Sequence, residues 1–203
     1  MVHYHNIEQG SPEWFELRKR KLTASHATAI GASGAGLKTY CKEIVLELIG
    51  IEKEHYTNAD IERGNELESI ARSSYEFQTG NEVEEVGFIT NDKFENAGMS
   101  PDGLIGEDGG CEIKARNDIK HLSLILGETK EIPVNQIQMS LLISERKWWD
   151  FISFNPNFKN PLFIKRIYPD PIYFEKLKKG IIEGNKLIEQ ILITLNKKNY
   201  DFS

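Results

Sequence analysis

Two short segments carry side chains of the types and spacing that catalysis needs: Ser100-Pro101-Asp102-Gly103 and, ten residues beyond the aspartate, Glu112-Ile113-Lys114. Two carboxylates on neighbouring strands of a hairpin can converge on one hard cation, because Mg²⁺ takes oxygen ligands and keeps several waters for a substrate phosphate. The side-chain period of two puts Glu112 and Lys114 on one strand face and buries Ile113 on the other, while the Ile113 carbonyl stays within reach of the metal. An ammonium beside that metal lowers the pKa of an attacking water or steadies a charged, phosphorane-like transition state. On the residues alone, the chemistry is metal-dependent phosphodiester hydrolysis. Each half is ambiguous by itself, since Pro-Asp-Gly is a common turn and Glu-Ile-Lys a common strand edge. Their conjunction across the glycine-rich tip Glu107-Asp108-Gly109-Gly110 favours a site.

These residues need a sheet and helices to hold them. Strand-like segments include Val83 to Ile89, Ala97 to Ser100, Leu104-Ile105, Cys111 to Lys114, Trp148 to Phe154 and Leu162 to Tyr168. Ser11-Pro12-Glu13-Trp14 opens a short helix, with serine as cap and proline at its first position. A second helix starts at Thr23-Ala24-Ser25, and Gly31 to Gly36 reads as a loop. Further helices are expected over Thr39 to Ile49, Asn58 to Thr79, a stretch after Ile132-Pro133 carrying Gln136 and Gln138, and Ile172 to Leu195. Trp148-Trp149 reads as one surface ring and one core ring. The sum is an α/β (α+β) chain with a central mixed sheet flanked by helices.

At 203 residues the chain suits a single domain, 1–203, that buries roughly 70% of its unfolded surface. No apolar run approaches the roughly 20 residues of a membrane span and the N-terminus lacks a signal-peptide core, so a cytoplasmic location and no membrane partner are expected. Cys41 and Cys111 read as free thiols, and the five histidines lack metal-ligand spacing. The net charge of −6 argues against a protein that coats nucleic acid. It leaves a nuclease open, because metal-holding carboxylates contribute to it and Arg18-Lys19-Arg20-Lys21, Arg146-Lys147 and Lys165-Arg166 offer local phosphate tracks.

Five ordered blocks span most of the chain: Trp14-Phe15-Glu16-Leu17-Arg18 with Leu22-Thr23-Ala24-Ser25, then Gly64-Asn65-Glu66-Leu67-Glu68, Ser100-Pro101-Asp102-Gly103, Glu112-Ile113-Lys114, and Gln136-Ile137-Gln138. Together they resemble the lambda-exonuclease, YqaJ-like viral recombinase branch of the PD-(D/E)xK nucleases. That resemblance implies a restriction-endonuclease-like core. Asp102 and Glu112 would ligate the metal, the Ile113 carbonyl would join them, and Lys114 would be the catalytic lysine. Glu68 matches the helical glutamate that completes the metal site. Its rival Glu66 lies about 200° away round the helix, so the two cannot share a face.

By the same resemblance Arg18 and Ser25 form a pocket for a 5′-phosphate, and a guanidinium and a hydroxyl suit that ligand. Gln136 lies near the active centre with Gln138 as a helper. The Ala115-Arg116-Asn117 that follows Lys114 departs from the Cys-Pro often found in relatives, and Arg116 is a possible DNA contact. The implied activity is a Mg²⁺-dependent 5′-to-3′ exonuclease, with Mn²⁺ as substitute, acting on double-stranded DNA ends. A homo-oligomeric ring trimer and a single-strand annealing protein are the implied partners in phage-type recombination. The residues alone also leave open an endonuclease on the same core and a catalytically silent DNA-end-binding module.

Overall fold

The computed structural model describes residues 1–51 and 59–198, and the side chains of 59–65 lie outside that description. The expected helix start Asn58 therefore falls outside the described residues. A strand, β1 (Val2–His5), precedes the helix α1 (Pro12–Arg18), whose Ser11 cap accepts the Trp14 backbone N–H as the sequence predicts. A two-residue strand β2 (Leu22–Thr23) and a 3-10 turn lead into α2 (Ala27–Ala32) and α3 (Ala35–Leu48). The glycine loop expected at 31–36 shrinks to Ser33 and Gly34, because Gly31 and Gly36 are absorbed into these helices. The helix α4 (Ala59–Thr79) follows.

Next come β3 (Phe88–Asn91), β4 (Ala97–Met99), β5 (Gly103–Ile105) and β6 (Gly109–Ala115). The helices α5 (Asp118–Ile125) and α6 (Val134–Ser144), the hairpin β7 (Trp148–Phe154) and β8 (Leu162–Ile167), and the long α7 (Pro171–Lys197) complete the chain. The strands form two mixed four-stranded sheets, ordered β1-β3-β4-β2 and β5-β6-β7-β8. In the second, β6 and β7 are parallel and both outer pairs antiparallel. The mixed sheet flanked by helices is thus present, divided in two at Ser100-Pro101-Asp102, where the chain leaves β4 and enters β5.

Pro101-Asp102-Gly103 is not the turn that its composition suggests. Gly103 already pairs with Cys111, and the true hairpin turn is Gly106 to Asp108. Gly103 is required by close approach, since a Cβ there would lie 2.1 Å from the Val83 side chain. That contact brings the segment after α4 onto β5 through the Glu84–Leu104 bridge.

One apolar cluster joins α2, α3, α6 and α7 to the first sheet and to Trp149 and Phe151; a second packs Ala71 and Tyr75 of α4 on Cys111, Ile113 and Ile152. Trp149 is the core ring of its pair and Trp148 is only partly covered. Cys41 and Cys111 are buried free thiols. Among the described residues no helix is long and apolar enough to cross a membrane.

Candidate active site

The strand β6 delivers Glu112 and Lys114 to one face and the Ile113 side chain into the cluster beneath α4, as the period of two requires. Lys114 Nζ lies 2.6 Å from Glu112 Oε1, and Gln136 of α6 donates its amide to the same oxygen at 2.7 Å. Asp102 Oδ2 accepts the Ile113 backbone N–H at 2.7 Å.

That last bond defines the open edge of the site. Extending the β5–β6 register by two residues puts Pro101 opposite Ile113, and proline has no N–H to continue the ladder. The Pro101 carbonyl is instead held by Gln9 Nε2 at 2.9 Å. Because the N–H and C=O of a strand residue leave on the same edge, the Ile113 carbonyl faces the gap beside Asp102. The proline and aspartate together end the strand and leave a backbone oxygen next to two carboxylates.

Glu68 reaches this edge from α4, while Glu66 is exposed on another face of the same helix. Arg72, one turn on, donates to Glu68 Oε1 at 3.1 Å and pairs with Glu85. The crowded acids hold protons tightly. Burial and then Asp102 push Glu68 up to about 7, and the same two causes push Glu112 up to about 8. Burial also raises Asp102, against the pull of Lys114 and the Ile113 N–H. Burial alone would lower the Lys114 ammonium, but Glu112 and Asp102 outweigh it and raise the group above its usual range. Among the described residues no three His, Cys, Asp or Glu side chains stand in ready-made metal-ligating geometry. The oxygens available at this edge are hard donors, the type that Mg²⁺ and Mn²⁺ take.

Arg18, at the end of α1, donates to Ser100 Oγ at 3.1 Å, and its guanidinium lies 4.1 Å above the centre of the Trp14 ring. Trp14 Nε1 also reaches Ser100 Oγ, at 3.0 Å, and the Gly87 carbonyl at 3.0 Å. A cation half-buried on an aromatic face is therefore held by Ser100, two residues before Asp102 in the chain. Ser25 is exposed just beyond β2, in the 3-10 turn Ala24–His26, and β2 runs parallel to β4 (Leu22 with Ala97, Thr23 with Gly98).

Other expected contacts are employed elsewhere. Gln138 is buried, donates to the Tyr168 carbonyl at 2.8 Å and accepts the Asp170 N–H at 2.9 Å. Its amide ties α6 to the start of α7. Arg116 donates from its guanidinium to the Glu131 carbonyl at 2.8 Å, bracing the loop before α6. Several members of the basic runs have partners within the chain: Lys19 pairs with Glu16, Arg20 with Glu189, Lys147 with Asp108 and Arg166 with Asp150, while Arg146 caps the Gly106 and Gly109 carbonyls.

The YqaJ-like viral recombinase domain description matches residues 13–147, which hold every block of the candidate site. The chain belongs to that family. Among solved structures, this YqaJ-family chain is similar to an alkaline exonuclease, LHK-Exo, from Laribacter hongkongensis. The two share 30% identity and a TM-score of 0.84, over 95% of this chain and 100% of that one. The same figures hold for LHK-Exo in complex with dAMP. A phage related exonuclease from Haemophilus somnus 129PT shares the fold at 14% identity and a TM-score of 0.67, covering 89% of this chain and 98% of the other. No curated protein matches the chain.

Several participants in the site are absent from the sequence reading. Arg72 follows Glu68 by four residues, a helical spacing that signals an ion pair. Ser100 sits inside a block quoted only for its aspartate. His26 and Tyr40, which surround Ser25, carry no local signal, because their meeting depends on how α3 packs.

Proposed function

We propose that this YqaJ-family nuclease degrades one strand of linear double-stranded DNA from a 5′-phosphorylated end, with Mg²⁺ as cofactor, releasing mononucleotides and leaving a 3′ single strand. The observation that carries this reading is the juxtaposition, across Ser100-Pro101-Asp102, of a buried acid–lysine cluster with the half-buried Arg18. One centre suits hydrolysis, and its neighbour suits a terminal phosphate. That LHK-Exo is an alkaline exonuclease and has been seen with dAMP, a mononucleotide, supports the same reading.

Asp102, Glu112, Glu68 and the Ile113 carbonyl would hold Mg²⁺, for which Mn²⁺ would substitute. When bound, the ion activates water and offsets charge on the phosphate oxygens. Lys114 keeps its proton beside Glu112 and serves as a fixed positive charge for the transition state. Gln136 holds the Glu112 carboxylate in place, and Asp102 is aimed by the Ile113 N–H. Arg18 grips the terminal phosphate with Ser25 beside it.

With a net charge of −6 and several members of its basic runs internally paired, the surface offers little bulk attraction for DNA. A ring-shaped homotrimer around the duplex would supply retention by topology, and a single-strand annealing protein would receive the 3′ strand during recombination in the cytoplasm. The polarity is tested with duplexes labelled at either the 5′- or the 3′-terminal nucleotide of one strand. Early release of the 5′ label as mononucleotide is expected; early release of the 3′ label reverses the assignment.

A further inference from the structure

The hydroxyl assigned to the 5′-phosphate belongs to a hydrogen-bonded chain. Ser25 Oγ lies 3.1 Å from Thr23 Oγ1 and 3.2 Å from His26 Nδ1, which itself is 3.4 Å from Thr23 Oγ1. Thr23 Oγ1 lies 3.0 Å from the Tyr40 hydroxyl. That hydroxyl accepts the Thr23 N–H at 3.1 Å and reaches the Lys21 carbonyl at 3.2 Å. The His26 ring stacks on Tyr40 with centroids 3.8 Å apart and planes 8° from parallel. Arg18 and Tyr40 are near enough for each to shift the other's pKa, so the chain runs beside the guanidinium.

Counting protons gives the chain a direction. The Lys21 carbonyl can only accept, so it takes the single Tyr40 proton. The Tyr40 oxygen then accepts both the Thr23 N–H and the Thr23 hydroxyl, which leaves Thr23 Oγ1 as an acceptor. Two groups can satisfy it. If Ser25 does so, its proton turns inward and it shows an arriving anion only lone pairs. If His26 holds its proton on Nδ1, that N–H serves Thr23 and Ser25 together, and the Ser25 proton is released outward. Thr23 and Tyr40 are buried and Ser25 is exposed, so the outward donor is Ser25.

We propose that His26 is a positioning residue for recognition of the DNA end: stacked on Tyr40, it turns its Nδ1–H to Ser25 and frees the serine hydroxyl to donate to a terminal phosphate. The inference rests on the reading of Arg18 and Ser25 as a 5′-phosphate pocket. Two variants separate its parts. His26→Phe keeps a ring on Tyr40 and removes Nδ1; His26→Asn gives up the ring and keeps an amide donor near the same place.

Initial rates are measured on linear duplexes that differ only in a 5′-phosphate or 5′-hydroxyl. In His26→Phe the phosphate-to-hydroxyl rate ratio should fall about ten- to a hundredfold, as expected for one hydrogen bond to a charged group. The loss should lie in KM for the phosphorylated duplex, with the hydroxyl duplex cut at the wild-type rate. His26→Asn should keep the ratio within about twofold, well inside the effect of losing such a bond. A wild-type protein that prefers the phosphate while His26→Phe retains the full ratio overturns the role of His26 alone. Equal loss on both duplexes also overturns it, in favour of a structural role. A wild-type protein with no preference overturns the pocket itself.

Discussion

Lys114 Nζ stands 2.6 Å from Glu112 Oε1, two positions along the same strand, and this pair joins the charge of the site to its geometry. Glu112 is almost wholly buried, and Lys114 and Gln136 offset part of the cost of placing its carboxyl there.

Lys114→Ala removes the fixed positive charge while leaving the carboxylates and the Arg18 pocket in place. Cleavage should fall by about a hundred- to a thousandfold, the loss typical of a single electrostatic group at a reacting centre. DNA binding, followed by fluorescence anisotropy, should be retained. Near-native turnover in this variant contradicts the role given to Lys114.

Gln136→Leu leaves Glu112 Oε1 with Lys114 as its one remaining partner of the two. Groups that orient a metal ligand are typically worth about ten- to a hundredfold in activity or metal affinity. The Mg²⁺ concentration for half-maximal activity should therefore rise. A Mg²⁺ titration unchanged from wild type would show that Gln136 does not orient Glu112.

The crowded acids give the metal-free protein a particular pH dependence. An unfolded glutamate titrates near about 4.3, whereas folded Glu68 and Glu112 are raised to about 7 and about 8. The folded state therefore holds more protons between these values, and stability falls as pH rises through the interval. Without divalent metal, Tm should decline from about pH 5 to about pH 8, and the gain in Tm on adding Mg²⁺ should grow over that range as metal replaces protons. A Mg²⁺ effect independent of pH argues against these groups as the metal site.

Asp150 anchors the rear of the sheet. It is buried, receives Arg166 Nε and Nη2 at 2.8 Å each, and accepts the Tyr75 hydroxyl at 2.7 Å. Arg166→Ala strands the carboxylate with the tyrosine and should cost about 2 to 3 kcal/mol, measured by urea unfolding. A change under about 0.5 kcal/mol, the level of an ordinary surface substitution, would show that Asp150 finds water instead.

The parts of this molecule legible in sequence are those fixed by local periodicity. Alternation on β6 places Glu112, Ile113 and Lys114 correctly, and the Ser11-Pro12 cap marks α1 to the residue. Long-range pairing is harder to see. Among His3, Tyr4 and His5 there is no apolar alternation, so β1 becomes visible only through its partner β3. The helix α5 also went unforeseen although Asn117 caps it, because its apolar residues are largely exposed: Ile119, Leu122, Ile125 and Leu126. The structural ties of Gln138 are hidden for a related reason: nothing local in the sequence shows that this buried amide joins α6 to the start of α7.

Pairing of the basic runs is equally invisible in sequence, since Glu189 lies on α7 and Asp150 on β7, far along the chain from Arg20 and Arg166. In the proposed function, end recognition falls chiefly to Arg18.

The proposed hydrolysis of duplex DNA from 5′-phosphorylated ends at the Asp102–Glu112–Lys114 centre is tested by incubating the purified protein with Mg²⁺ and three substrates, a 5′-phosphorylated linear duplex, its 5′-hydroxyl counterpart and a covalently closed circle, with an EDTA control. Mononucleotides released fastest from the phosphorylated duplex, an intact circle and no products in EDTA are the predicted results. Nicking of the circle, or cleavage that persists in EDTA, would contradict the account.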